Sequence, residues 1–189
     1  MPADNMTIQA KWTVNKYTIT FKDGETVLKS STQDYGTAIT APTDLTRVGY
    51  TFAGWDQTVP GTMPAEDMVL TARWTVNRYT ITFKDGDEVI SAVTRDYAAA
   101  VKAPADPTKE GYTFAGWDQT IPATMPAENM TVQARWTVNR YTITFVTNGG
   151  TTAAPMKQDY GTALTLPTPA KEGYGFGGWY TDQNCTKQF

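Results

Sequence analysis

The eleven residues Arg73–Phe83, RWTVNRYTITF, return unchanged at Arg135–Phe145, and a close variant, KWTVNKYTITF, stands at Lys11–Phe21. Around them the whole chain repeats. Trp12, Trp74 and Trp136 recur at an interval of 62 residues, as do Tyr50, Tyr112 and Tyr174, and Trp55, Trp117 and Trp179. MPADNM at Met1 returns as MPAEDM at Met63 and MPAENM at Met125, while Asp159-Tyr160 arrives one residue late in the last copy. A fixed period of this size marks a tandem array of like units, each a small structure in its own right. A unit of about 60 residues buries only about 60% of its unfolded surface and is marginal alone. Its recurring Tyr, Phe and Trp are therefore read as core, with neighbour contacts adding the remainder as in other repeat arrays.

The local pattern is that of strands. In YTITF, Tyr79, Ile81 and Phe83 point one way and Thr80 and Thr82 the other, which is a strand with one buried face. Asp85-Gly86 follows it and signals a hairpin, with EVISAVTRDY as the returning strand. Asp106 as N-cap, Pro107 at the first helical position and Gly111 as terminator predict one or two helical turns, although Leu45 replaces this proline in the first copy. YTFAGW reads as a third strand with Gly116 marking a bulge. The segment DQTIPATMPAEN, with two prolines, reads as a loop. MTVQARW is a fourth strand, with Met130, Val132, Ala134 and Trp136 on one face.

Trp74 and Val76 keep the even parity of the strand before them, whereas Tyr79, Ile81 and Phe83 are odd. A period-2 pattern changes parity only through a bend or bulge. Thr-Val-Asn-Arg is thus a joint that ends one module and starts the next, and without Gly or Ser it is expected to be stiff. This reading divides the chain into residues 1–15, the last strand of a preceding repeat; 16–77, module 1; 78–139, module 2; and 140–189, module 3, stopping at GWYTDQNCTKQF before its own last strand. An alternative register starts the units at Met1, Met63 and Met125 and gives the strand Met6–Trp12 to the first module. In the first register an open sheet edge is expected near Phe189, for which Met6–Trp12 of a neighbouring molecule is the natural strand.

Composition narrows the function. The net charge is -3, which argues against nucleic acid, whose phosphates need a basic footprint, and against an anionic membrane surface. There is no histidine and a single cysteine, Cys185, which removes His-based triads, most zinc and copper sites and any intramolecular disulfide. No apolar run reaches the length of a membrane span. No cofactor is expected.

Asp159–Asp182, DYGTALTLPTPAKEGYGFGGWYTD, together with Asn148-Gly149-Gly150 and ARWTVNRYTITF, resembles the Listeria–Bacteroides repeat, the internalin B-type B repeat of bacterial surface proteins. The resemblance covers essentially the whole chain. Copies one and two depart from it, with Lys-Asp-Gly in place of Asn-Gly-Gly, a shorter loop after Trp (WDQT) and Ala-Arg-Trp at the end. The resemblance implies a mostly β (α+β) protein, tandem small β-grasp-like, ubiquitin-related modules in an elongated array. It further implies an extracellular setting, attached to the cell surface through other segments, and roles in adhesion, spacing and protein contact without catalytic residues.

Other constellations in the chain have simpler readings. Asp85-Gly86-Asp87-Glu88 could offer Ca²⁺ its carboxylates but reads better as a solvated hairpin tip. Nothing selects a Lys/Asn/Glu trio for an isopeptide bond, and Asn-x-Thr at Asn5, Asn129 and Asn184 reads as chance. Gly173–Gly178, GYGFGG, occupies a strand slot and not the strand-to-helix turn of a phosphate loop. Trp55, Trp117 and Trp179 lie opposite in parity to Phe52, Phe114 and Phe176, so either both sheet faces are covered or one Trp set is exposed. Those three, with Asn77, Arg78, Asn139 and Arg140 at the joints, are the candidate ligand or intermodule contacts. The expected function is a non-enzymatic extracellular spacer or adhesion stalk contacting a host or matrix protein. The alternative is a carbohydrate-binding accessory region, with glycan as the less favoured partner.

Overall fold

The computed structural model describes residues 4–189; Met1, Pro2 and Ala3, which open the expected leading segment, lie outside the described residues. Ten strands are described, β1 (Lys16–Asp23), β2 (Thr26–Asp34), β3 (Tyr50–Trp55), β4 (Met68–Val76), β5 (Arg78–Asp85), β6 (Glu88–Asp96), β7 (Tyr112–Trp117), β8 (Met130–Val138), β9 (Arg140–Ile143) and β10 (Met156–Asp159). They form a four-stranded sheet of order β2-β1-β4-β3, a second of order β6-β5-β8-β7, and a two-stranded sheet β10-β9. The protein is built of mostly-β tandem modules. By contact the chain divides into two compact units, Met1–Ile81 with Val93–Lys102 and Pro122–Met130, and Thr82–Ala92 with Ala103–Ile121 and Thr131–Phe189.

The first sheet shows why the sequence folds this way. β1 and β2 form a hairpin through Gly24-Glu25, with Gly24 at φ +55° as the first central residue of the turn. Thr18–Thr32 and Thr20–Ser30 hydroxyl pairs, 2.8 and 3.1 Å apart, line its outer face. β4 then enters parallel to β1, with Phe21 opposite Leu70, and antiparallel to β3, with Phe52 opposite Trp74. Its central place explains the burial of Leu70 and Ala72, the inward residues of the alternating pattern.

The buried face carries Ile19, Phe21, Met63 and Leu70, with Tyr17, Ile39, Ala41, Trp55, Val59 and Met68 packed against them. What covers this face is extended chain. Residues near Ile39 and Met63 come from two segments tied to each other: Gly36 donates to the Met63 carbonyl at 2.9 Å, Met63 to Thr37 at 2.8 Å, and Ile39 to Gly61 at 3.1 Å. In the second copy Ile81, Phe83, Met125 and Val132 are buried at the matching positions.

Three expectations need correction. The helical part of the α+β assignment is absent: no helix occurs among the described residues, and the Asp106–Gly111 stretch runs without regular structure into a turn at Glu110-Gly111. The residues before Pro104 and Pro107 are biased away from the α region. Lys109–Tyr112 then closes a turn in which Gly111 takes φ +77°, the value a type II turn demands of its third residue. Second, Met6–Trp12 forms no strand, because a strand needs a neighbour and none pairs with it among the described residues. Third, the slot at Tyr174–Trp179 is likewise not in strand form.

Candidate functional site: the joints between sheets

Asn77 is the single residue between β4, in the first sheet, and β5, in the second. Its backbone and side chain bind both sides of that passage. The Asn77 amide donates to the Gly49 carbonyl at 2.9 Å, and its own carbonyl accepts from the Tyr97 amide at 2.8 Å. Its Oδ1 accepts from Thr51 Oγ1 at 2.6 Å, while Nδ2 donates to the Tyr79 hydroxyl at 3.4 Å. Asn139 repeats the arrangement. Its amide donates to Gly111 at 2.8 Å, its carbonyl accepts from Tyr160 at 2.8 Å, and its Oδ1 accepts from Thr113 Oγ1 at 2.6 Å.

An aromatic clasp closes over each joint. The Tyr97 ring lies directly on the α-carbon of Gly49, where a β-carbon would overlap it, and meets Tyr50 edge-on at 5.8 Å. Tyr160 covers Gly111 and meets Tyr112 at 6.0 Å in the same way. Two demands fall on this glycine at once: a positive φ of +77° at both sites, and an open face for the ring. The Glu110 carboxylate beside Tyr160 pushes its phenol above the ordinary range, with burial adding in the same direction.

A cation closes the lower side of each turn. Arg47 sits over the Tyr50 ring at 4.6 Å and near Trp74 at 5.9 Å, and faces Asp23 at 3.7 Å. Lys109 takes the same place between Tyr112 and Trp136, at 5.4 and 5.5 Å, and donates to Asp85 at 2.8 Å. Trp74 and Trp136 donate their indole N–H to Asp23 and Asp85, both at 3.0 Å. The Asp85 carboxyl is held below its usual range first by the Lys109 hydrogen bond, against burial and with help from Trp136. Asp85, read from the sequence as part of a solvated hairpin tip, is tied instead to an indole and an ammonium.

The other candidates fall into two groups. Arg78 and Arg140 pair with Asp96 and Asp159, at 3.4 and 2.9 Å, across the open ends of their hairpins. Such exposed pairs contribute about 0–1 kcal/mol each. Trp55, Trp117 and Trp179 are half-buried. Trp55 lies against Phe21 and Phe52 at 4.8 and 5.4 Å, Trp117 against Phe83 and Phe114 at 5.0 and 5.2 Å, and Trp179 against Phe145 and Phe176 at 4.8 and 5.5 Å. The parity conflict between Phe52 and Trp55, and between Phe114 and Trp117, is removed by a bulge. Phe52 faces Trp74 and Trp55 faces Ala72, so one extra residue, Ala53, brings both aromatics to one face, with Gly54 at φ +103°.

Sequence reasoning singled out the two asparagines but missed Gly49, Tyr97, Gly111 and Tyr160, which complete the joints. Their signal is present in the text: a Gly-Tyr and an Asp-Tyr recur in every copy. Nothing in one-dimensional spacing says that the Tyr of one copy meets the Gly of the copy before it.

The Listeria–Bacteroides repeat domain matches the chain three times, over residues 17–73, 79–135 and 141–189. The chain is 33% identical over 209 aligned residues to a protein of Evansella cellulosilytica provisionally named a Gly-rich membrane protein, covering 98% of this chain and 24% of that protein. A second protein of that organism, provisionally named a membrane protein, is 32% identical, covering 96% of this chain and 30% of its own length. Internalin H of Listeria monocytogenes is 42% identical over 120 residues, 53% of this chain and 22% of that protein. The chain thus spans about a quarter of the length of the relatives it matches.

Proposed function

We propose, from the premise that this chain belongs to the Listeria–Bacteroides repeat domain family, that it is the non-enzymatic repeat region of a bacterial cell-surface protein and acts there as a semi-rigid spacer or adhesion stalk. The surface setting draws on the names of its relatives, two membrane proteins and an internalin. Attachment then resides in segments other than these. The module boundaries proposed are at Asn77 and Asn139.

The observation that carries the spacer reading is the repetition of one joint. At Asn77 and Asn139 the same three hydrogen bonds and the same Tyr-on-Gly clasp recur. A flexible tether has no use for such a set of contacts; a single residue fixed at its amide, carbonyl and side chain limits the angles a module adopts to its neighbour. The carbohydrate alternative draws no support from Trp55, Trp117 and Trp179, whose rings rest on phenylalanines.

Spin labels at the exposed hairpin residues Glu25 and Asp87 test the stiffness. The wild-type distance distribution is expected to be narrow, and to broaden in Asn77→Gly/Tyr97→Ala, which frees the joint but leaves both sheets their cores. A wild-type distribution as wide as the variant's is incompatible with a semi-rigid spacer.

A further inference from the structure

Each copy turns after its first strand through an acid or amide followed by glycine: Asp23-Gly24, Asp85-Gly86 and Asn148-Gly149. At such a step the side-chain carbonyl is open to attack by the next backbone nitrogen, because glycine puts no β-carbon in the way. Two of the three side chains are held. Asp23 accepts the Trp74 indole N–H at 3.0 Å and faces Arg47 at 3.7 Å. Asp85 accepts from the Trp136 indole at 3.0 Å and from Lys109 at 2.8 Å. Both are carboxylates in ion pairs, and a carboxylate repels a nucleophile.

Asn148 differs on every count. It is the only asparagine of the chain that precedes a glycine. Its side chain is a neutral amide and makes no hydrogen bond among the described residues, and the Gly149 N–H donates to none of them. Gly24, Gly86 and Asn148 are all exposed, so an open tip belongs to the fold of the repeat. Lys171 adds a second, independent feature: its Nζ donates to the Asn148 carbonyl oxygen at 3.0 Å. That oxygen shares a peptide group with the Gly149 nitrogen. A cation there stabilises the negative charge that spreads onto the oxygen as the nitrogen loses its proton. Lys109, 62 residues earlier, reaches the acid of its own tip, so a cation at this place recurs with the repeat.

We infer that Asn148 is a self-modification site, an asparagine that deamidates through a cyclic imide with Lys171 activating the attacking nitrogen. The Gly149 nitrogen gives its proton to solvent and attacks Asn148 Cγ. A C–N bond forms there, and the side-chain nitrogen takes up a proton from solvent and leaves as ammonia. Water then opens the imide at either carbonyl, which yields aspartate or isoaspartate. The net change is one water in and one ammonia out, with no oxidant or reductant. The product sets a carboxylate beside the Lys171 ammonium. Its isoaspartate form also adds a methylene to the backbone inside the turn that the Gly150 amide closes on the Thr147 carbonyl at 3.1 Å. This chemistry stands whether or not the chain serves as a spacer.

Incubation of the 189-residue chain in mildly alkaline buffer, followed by peptide mapping and an ammonia assay, reads this directly. Aspartate and isoaspartate are expected to accumulate at position 148, with ammonia released mole for mole, while Asn77, Asn139, Asp23 and Asp85 stay as they are. Lys171 is exposed, so Lys171→Met is expected to melt as the wild type does. That variant is expected to deamidate about two- to fivefold more slowly, the scale of an exposed charge contact, and Lys171→Arg to keep the wild-type rate. In concentrated urea, which removes the turn, all three chains are expected to react alike. An Asn148 that stays intact in the folded chain, a Lys171→Met rate equal to the wild type's, or a Lys171→Met deficit that persists in urea would each overturn the inference.

Discussion

At the scale of single residues, one backbone position does two jobs. Gly49 supplies a left-handed turn residue and the flat seat for Tyr97, so Gly49→Ala is expected to cost about 1–2 kcal/mol for the backbone alone and more for displacing the ring. Gly24→Ala, at φ +55° with open space around it, carries only the backbone cost. Denaturant midpoints should therefore fall further for Gly49→Ala, and the excess should vanish when both are compared in a Tyr97→Ala background. The opposite change is available in the second copy. Ala98 stands at φ +62° where the other copies have Gly36 and Gly161, also at positive φ. Ala98→Gly is expected to raise stability by about 1 kcal/mol, read as a higher melting temperature, because it relieves a left-handed alanine. The sequence showed that the residue after this tyrosine varies; it did not show the φ it must adopt.

Elements here were the most legible part of the chain. Period-2 alternation located β1, β3 and β4 and, in the second copy, β5, β7 and β8, and the Asp-Gly dipeptide located the hairpins of the first two copies, because both depend on neighbours within a few residues. In the third copy Asn148 and Gly149 take φ +49° and +86°, as a two-residue turn with both central residues left-handed requires. Cover for the sheet was not legible. A short helix was expected and extended segments stand in its place, with Met63 buried in what reads as a polar, proline-rich loop. Met63→Ala is therefore expected to cost as much as Leu70→Ala in the middle of β4, about 2–5 kcal/mol in urea unfolding, whereas Val69→Ala, on the exposed face of the same strand, changes little. A Met63→Ala cost near that of Val69→Ala would show that the loop does not close the core. The bulge at Ala53 belongs here too. Gly116 suggested it, but its consequence, bringing Phe and Trp to one face, follows only once the register with β4 and β8 is known.

At the scale of the molecule, the period of 62 residues alone says that one small β structure recurs, and the parity break at Thr-Val-Asn-Arg marks the passage from β4 to β5, which the structure narrows to Asn77 alone. Repetition, alternation and turn chemistry are local or periodic properties, and a chain displays them in its text. Tertiary structure alone decided the rest: that the last strand of each four-stranded sheet enters at its centre beside the first, that Asp23 and Asp85 serve tryptophans 51 residues away, and that Tyr97 and Tyr160 rest on glycines of the copy before. These are meetings between residues far apart in sequence. Which ones meet depends on where the strands cross in space, and a one-dimensional pattern records the surfaces that need a partner without recording which partner arrives.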